Sequence, residues 1–87
     1  MAVVVNYLRK LVGAMAEKVS VTERFGQRIR TLRNQRGWSQ EQLAELSGLD
    51  RTYISGIERG IRNVALRNIE ALAKALEVSM SELFEDS

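Results

Sequence analysis

The stretch QEQLAELSGLDRTYISGIER, residues 40–59, decides the fold of this chain. Small and apolar residues stand in it at the spacing that two short helices joined by a tight turn require. They are Ala44, Gly48, Ile54 and Ile57. Ala44 suits the point where the helices cross, and Gly48 can take the positive φ of the turn. The pattern predicts a helix-turn-helix whose outward side chains are Arg51, Thr52, Ser55 and Arg59.

Helix ends in the rest of the chain are marked by polar N-caps and glycines, because the sequence contains no proline. Capping boxes pair Ser20 with Glu23 and Ser39 with Gln42, and apolar residues follow them at helical spacing. The predicted helices span 20–37, 39–48, 50–60 and about 65–76, and a short fifth begins at Ser79. We find no strand signal. The predicted fold class is therefore all-α, with five helices.

Residues 1–19 form an N-terminal extension to the domain, which we assign to residues 20–87. Apolar residues recur in the extension at helical intervals. They are Val4, Tyr7, Leu8, Leu11, Met15 and Val19. This pattern indicates an additional N-terminal helix, either packed on the core or joined to a partner. A frayed tail, a cloning remnant and a native start at Met15 are the alternatives.

Composition narrows the classes of function. A chain of 87 residues fits one domain with a marginal core, which dimerisation would help to stabilise. Cysteine and histidine are both absent, so the commonest metal ligands and general bases are missing. We therefore expect no enzymatic activity, no metal and no cofactor. The apolar N-terminal stretch is short and interrupted by charge, so we expect a cytoplasmic protein with no membrane partner.

Charge is distributed unevenly, although the net charge is only +2. Residues 22–67 carry nine basic and five acidic side chains, whereas residues 68–87 carry one lysine and five acidic side chains. The basic middle is expected to face phosphates. The acidic, apolar C-terminal end is the natural surface for a dimer. The residues predicted for that interface are Leu76, Val78, Met80, Leu83 and Phe84.

With its flanks, the opening block resembles the Cro/C1 (XRE-type) family of bacterial and phage DNA-binding proteins. The matching segments are LRNQRGWSQEQLAELSG, YISGIERG and LRNIEALAKALEVSMSELF, in a match that runs over residues 25–84, about two thirds of the chain. Within the family, RTYISGIERGIRNV is most similar to the controller proteins of restriction-modification systems. The resemblance implies a phosphate-binding glutamine at Gln40 and a partly buried ion pair between Arg33 and Glu58.

A recognition helix in the major groove touches base edges with exposed residues near its N-terminus. Here these are Arg51, Thr52 and Ser55, and Arg51 is the best candidate because arginine can bond guanine O6 and N7 together. Tyr53 either packs against the first helix or lies along the DNA backbone. Gly56 leaves the middle of the helix bare, which predicts close approach to the groove or fewer base contacts. Contacts to the DNA backbone or groove are expected from Gln40, Arg36, Tyr53, Arg59, Arg62 and Asn63.

The resemblance and this surface together predict a homodimeric transcription regulator of double-stranded DNA. One short recognition helix needs a second half-site about 10 base pairs away, and a palindromic operator follows from two-fold symmetry. Regulation would follow protein concentration, through cooperative higher-order assembly on DNA, or a partner protein, and RNA polymerase is a candidate partner. The alternatives are an antitoxin or phage-type repressor of its own operon and, in a different class, a protein-interaction adaptor.

Overall fold

Helices account for all regular structure in the part of the chain that the computed structural model describes, residues 2–16 and 19–85. The elements are α1 (Ala2–Ala16), α2 (Val21–Gln35), α3 (Gln40–Ser47), α4 (Arg51–Glu58) and α5 (Leu66–Leu76), followed by a 3₁₀ turn at Ser81–Phe84. The helices α2 to α5 and the closing turn correspond to the five predicted helices, and α1 lies in the extension. The all-α fold class is confirmed.

Polar side chains begin α2, α3 and α4 at the predicted positions. Ser20 Oγ accepts a bond from the backbone N–H three residues further on, at 3.2 Å. The capping box of α3 is complete, because Gln42 N donates to Ser39 Oγ at 3.1 Å and Ser39 N donates to Gln42 Oε1 at 2.7 Å. At α4, Asp50 accepts from Thr52 N at 2.7 Å. These bonds satisfy N–H groups that a helix start otherwise leaves unpaired, and so fix where each helix begins.

The C-terminal end differs from the prediction in its geometry. Ser79 and Glu82 do form reciprocal bonds, with Glu82 N donating to Ser79 Oγ and Ser79 N donating to Glu82 Oε1, each at 3.2 Å. The segment that follows is a 3₁₀ turn of four residues rather than an α-helix. Leu83, which belongs to this turn, is fully buried in the core. Three contacts with the domain, rather than helix length, therefore hold this end: the buried Leu83, the ring of Phe84 with its centre 5.3 Å from that of Phe25, and the bond that Arg28 Nε donates to the carbonyl oxygen of Glu82 at 2.9 Å.

The core lies among α2, α3, α4, α5 and the closing turn. Its fully buried large side chains are Ile29, Leu43, Ile54, Ile57, Leu72, Leu76 and Leu83. Helices α3 and α4 form the predicted helix-turn-helix, with Gly48 at a φ of +74° between them. Its N–H donates to the carbonyl oxygen of Ala44 at 2.9 Å, and Ala44 is itself buried. One face of α4 is thus fixed to the core.

Gly26 on α2 sets how closely α2 approaches α4. A Cβ at this position would overlap the carbonyl oxygen of Ile57 and would lie 2.9 Å from that of Glu58. Both atoms belong to the backbone and cannot rotate away. The sequence alone does not single out Gly26, because the contact joins segments that lie far apart along the chain.

The N-terminal extension is helical over Ala2–Ala16, as its apolar spacing indicates. Residues 2–13 are all exposed, including Leu8 and Leu11, so this part of α1 buries little against the domain. The side chain of Met15 lies outside the described side chains. None of the helices within the described ranges has the length and apolar character needed to cross a bilayer.

Replacing Gly26 with alanine should destabilise the domain by about 2 kcal/mol or more, because α2 must move away from α4 to accommodate the added carbon. Urea unfolding followed by the fluorescence of Trp38, the only tryptophan, measures this change. Gly13→Ala is the matched control, since a Cβ at Gly13 meets nothing within 4 Å. A Gly26 variant as stable as the Gly13 variant would show that the two helices are not in close contact.

Candidate nucleic-acid interface

The predicted base-reading residues lie at the start of α4, on the side away from the core. Arg51 and Thr52 are exposed in its first turn, and Ser55 is half-buried one turn later. Ile54 and Ile57 on the opposite face are fully buried. Because burial of Ile54 and Ile57 holds one face of α4 on the core, the first turn of α4 points Arg51 and Thr52 towards solvent.

Arg51 contacts a residue that the sequence did not suggest. Its Nε lies 3.7 Å from Glu41 Oε1, in the first turn of α3, and both side chains are largely exposed. An exposed pair of this kind contributes little to stability and is weakened further by salt. Glu41 therefore does not hold Arg51 firmly, and the guanidinium can leave it at small cost.

Behind this surface, Arg33 of α2 and Glu58 of α4 form a buried, bidentate ion pair. Arg33 Nε donates to Glu58 Oε2 at 2.8 Å, and Arg33 Nη2 donates to Glu58 Oε1 at 2.9 Å. Only 11% and 2% of the two side chains are exposed. Donating these hydrogen bonds to Glu58 raises the pKa of Arg33 above its ordinary value, against the opposing effect of burial, so the guanidinium stays charged.

Two further groups complete this buried network. Arg33 Nη1 donates to the carbonyl oxygen of Trp38 at 2.7 Å, in the segment between α2 and α3. Gln40 Nε2 donates to Glu58 Oε1 at 3.2 Å. The sequence predicted Gln40 only as a phosphate ligand and missed this bond, because no local pattern links residues so far apart. Gln40 still begins α3, where backbone N–H groups and the helix dipole favour an anion.

Arg36, which was predicted to contact DNA, is half-buried and bonds two backbone carbonyl groups of its own chain. Its Nη1 donates to the carbonyl oxygen of Leu32 at 2.9 Å, and its Nη2 donates to that of Leu76 at 2.6 Å. Its guanidinium carbon also lies 5.9 Å from the centre of the Trp38 ring. The C-terminal ends of α2 and α5 carry carbonyl groups and a negative dipole end, which attract a guanidinium. Arg36 therefore caps two helices in the free chain, and its predicted contact with DNA stays a prediction.

Tyr53 is half-buried against the core, and it also contacts Asn68 and Arg62. Its hydroxyl accepts a bond from Asn68 Nδ2 of α5 at 3.2 Å. The guanidinium carbon of Arg62 lies 5.8 Å from the centre of its ring. Gly56 is buried beneath the side chain of Arg62. The space that the sequence assigned to close approach of DNA is therefore occupied, in the free chain, by Arg62.

The remaining predicted DNA contacts are on the surface. Arg59 and Asn63 are exposed at the end of α4 and in the segment after it, and Arg59 Nε donates to the carbonyl oxygen of Ser55 at 3.4 Å. Together with Arg62 they surround the C-terminal end of α4. Phosphate contacts from such a position would set orientation rather than sequence preference.

The predicted dimer residues divide into two groups. Leu76 and Leu83 have no exposed surface and are core residues of the single chain, so their assignment to an interface is corrected. They are buried because α5 and the closing turn fold their apolar sides onto the domain itself. Val78 and Met80 are half-buried, and Phe84 is 53% exposed.

The helix-turn-helix family matches residues 29–83, more than half of the chain. The chain belongs to this family. Control protein C.SmaI of Serratia marcescens is 48% identical over 65 residues, which cover 75% of this chain and 77% of that protein. The crystal structure of the restriction-modification controller protein C.AhdI from Aeromonas hydrophila is 59% identical, with a TM-score of 0.71 over 72% of this chain and 96% of that one.

A third similar protein has been solved with its ligand. The structure of SinR, a master regulator of biofilm formation, in complex with DNA is 35% identical, with a TM-score of 0.67. It covers 70% of this chain and 98% of that one. These relatives are regulators, and the helix-turn-helix that the geometry presents is the element that they share with this chain.

Truncating Glu58 to alanine should destabilise the domain by about 3 to 5 kcal/mol, because Arg33 would keep a buried charge without its partner. Glu70→Ala is the control: Glu70 pairs with Lys74 at 3.7 Å on the surface and should cost less than about 1 kcal/mol. Chemical denaturation of both variants provides the comparison. Equal losses would mean that burial adds nothing to the Arg33–Glu58 pair.

Proposed function

We propose that this chain is a transcription regulator that binds a palindromic operator as a homodimer and controls a restriction-modification operon. The observation that carries the proposal is the exposed first turn of α4, held in one orientation by the buried pair between Arg33 and Glu58. The similarity to restriction-modification controller proteins supports the proposal that the target is a restriction-modification operon. Membership of the helix-turn-helix family supports the proposal that the chain binds DNA.

In this proposal α4 enters the major groove with its N-terminal turn facing the base edges. Arg51 leaves Glu41 and bonds guanine O6 and N7, while Thr52 and Ser55 offer hydroxyl groups to neighbouring bases. Gln40 at the start of α3 binds a phosphate, with the free N–H groups of that helix end. Arg59, Arg62 and Asn63 bind the backbone or reach into the groove, and Tyr53 lies close enough to Arg62 to share its phosphate.

The proposed dimer surface is the apolar area formed by α5 and the closing turn. One shallow depression lies where this area meets α2 and the segment after α4, and it is bordered by Val21, Val64, Ile69 and Phe84 together with Arg62 and Asn63. Leu66, which is 71% exposed, and Met80 border another. Of the residues predicted from the sequence, Val78, Met80 and Phe84 remain in the proposed interface. A symmetric pair through this surface would carry two recognition helices, as a palindromic site requires.

Control would then depend on concentration. A small dimeric regulator occupies its operator only once enough chains have accumulated to pair, and cooperative binding of dimers would sharpen that threshold. RNA polymerase is the proposed partner for activation. No feature of the described residues specifically favours an antitoxin or an adaptor. An adaptor would also show no salt-dependent DNA binding.

Replacing Arg51 with alanine should weaken binding to the selected operator by about 1 to 3 kcal/mol, because a bidentate base contact is lost. Binding to random DNA should change little. Fluorescence anisotropy on an operator selected from a random pool measures both affinities. Arg30→Ala, which removes the same charge from an exposed position on α2, is the control and should spare operator preference. Equal losses of Arg51→Ala on operator and random DNA would contradict base reading.

Introducing glutamate at Met80 or Phe84 should shift the protein from dimer to monomer in analytical ultracentrifugation, since a carboxylate is costly in an apolar contact. Leu46→Glu is the control, because Leu46 is 57% exposed on α3 and lies outside the proposed surface. Circular dichroism checks that each variant is folded. Folded Met80 and Phe84 variants that still pair would move the interface elsewhere, with α1 as the next surface to test.

A further inference from the structure

Gly56 lies in the middle of α4 and is covered by the side chain of Arg62. A Cβ built on Gly56 would lie 2.9 Å from Arg62 Cγ, 3.0 Å from Nε and 3.5 Å from Cδ. These distances mean that the stem of Arg62 rests directly on the backbone of the recognition helix. Any side chain larger than hydrogen at residue 56 would displace it.

The space on the surface of α4 that Gly56 leaves and the stem of Arg62 fills is here called the slot, and Tyr53 borders it. It stands one helical turn before Gly56, and the guanidinium carbon of Arg62 lies 5.8 Å from the centre of its ring, within the range of a cation–π contact. The ring cannot turn freely, because the Tyr53 hydroxyl accepts a bond from Asn68 Nδ2 at 3.2 Å. Arg62 is therefore placed between a bare stretch of α4 and an aromatic ring that α5 holds in position.

The backbone before Arg62 is fixed at the same point. Ile61 N donates to the carbonyl oxygen of Gly56 at 3.1 Å, so the chain leaving α4 turns back over Gly56. This bond places the start of the Arg62 side chain at the slot. Backbone, stem and guanidinium are thus each constrained by a different contact.

We infer that Gly56 is a positioning residue: by leaving a slot on α4, it fixes Arg62 in the orientation in which Arg62 meets DNA. The inference rests on the proposed DNA-binding function. A free arginine side chain must lose rotamer freedom when it binds a phosphate or base edge, whereas a side chain already held in place loses less. Gly56 acts through Arg62 and does not itself touch DNA. This differs from the expectation that the bare backbone approaches the groove.

The decisive variant is Gly56→Ala. The atoms that its methyl group meets belong to a flexible side chain, and alanine favours a helix over glycine, so the melting temperature should rise by about 4 °C. Operator affinity should nevertheless fall by about 2- to 10-fold. A residue with a purely structural role would not combine higher stability with weaker binding.

A double-mutant cycle with Arg62→Ala identifies the route of the effect. In the Arg62→Ala background, Gly56→Ala should cause no further loss of operator affinity, because the side chain that it displaces is already absent. The same loss in both backgrounds would mean that Gly56 itself approaches DNA, and would overturn the inference. An unchanged affinity of the single Gly56→Ala variant would overturn it as well.

A measurement without DNA separates this inference from the proposed function. In the free protein, the side-chain protons of Arg62 should show ring-current shifts from Tyr53 in the NMR spectrum, and Gly56→Ala should abolish them. Gly13→Ala, an exposed glycine on α1 with open space around it, is the control and should leave them unchanged. Absent shifts in the wild-type chain would refute the slot, even if operator binding is normal. Present shifts with no operator binding would refute the proposed function and, with it, the role of the slot in DNA contact.

Discussion

The buried pair between Arg33 and Glu58 is the interaction on which the candidate interface depends. It joins α2 to α4, and it also binds the carbonyl oxygen of Trp38 and the amide of Gln40, so all three helices around the recognition surface meet at one carboxylate. A buried ion pair adds little net stability compared with apolar side chains of the same size. Its directional bonds do, however, favour the arrangement in which α2, α3 and α4 meet at Glu58.

Two glycines complement this pair on different sides of α4. At Gly26 the absence of a side chain lets α2 approach the backbone of α4, which brings Arg33 within reach of Glu58. At Gly56 it lets Arg62 lie on the helix surface. Gly26 therefore affects the arrangement of α2, α3 and α4 around Glu58. Gly56 affects the outer surface of α4. Substitutions at the two positions act on different properties for this reason.

The sequence predicted those features that depend on residues a few positions apart. The caps at Ser39 and Asp50 and the turn at Gly48 are local, because the groups that bond in each lie within a few positions of one another. Features that depend on distant contacts could not be predicted in this way. Arg36 bonds Leu76, forty residues away, and Leu83 is buried by elements from elsewhere in the chain, so a surface role was predicted for both.

The resemblance to a family contributed what spacing could not. It paired Arg33 with Glu58 across twenty-five residues, where composition alone would have suggested two solvated charges. It could not indicate the slot over Gly56, because that feature depends on how the side chain of Arg62 packs in this chain. The family resemblance therefore identified the pair that joins the helices, and only the structure showed how Arg62 packs on α4.

Two ion pairs of this chain respond differently to salt. The pair between Arg33 and Glu58 is buried, so mobile ions screen it weakly, whereas the pair between Arg51 and Glu41 is exposed and is screened strongly. Raising the salt concentration should therefore loosen Arg51 and weaken the proposed phosphate contacts without breaking the pair between Arg33 and Glu58. Because the buried pair persists, release from the proposed DNA complex at high salt should not require unfolding, and the released domain should keep the arrangement of helices in which it binds.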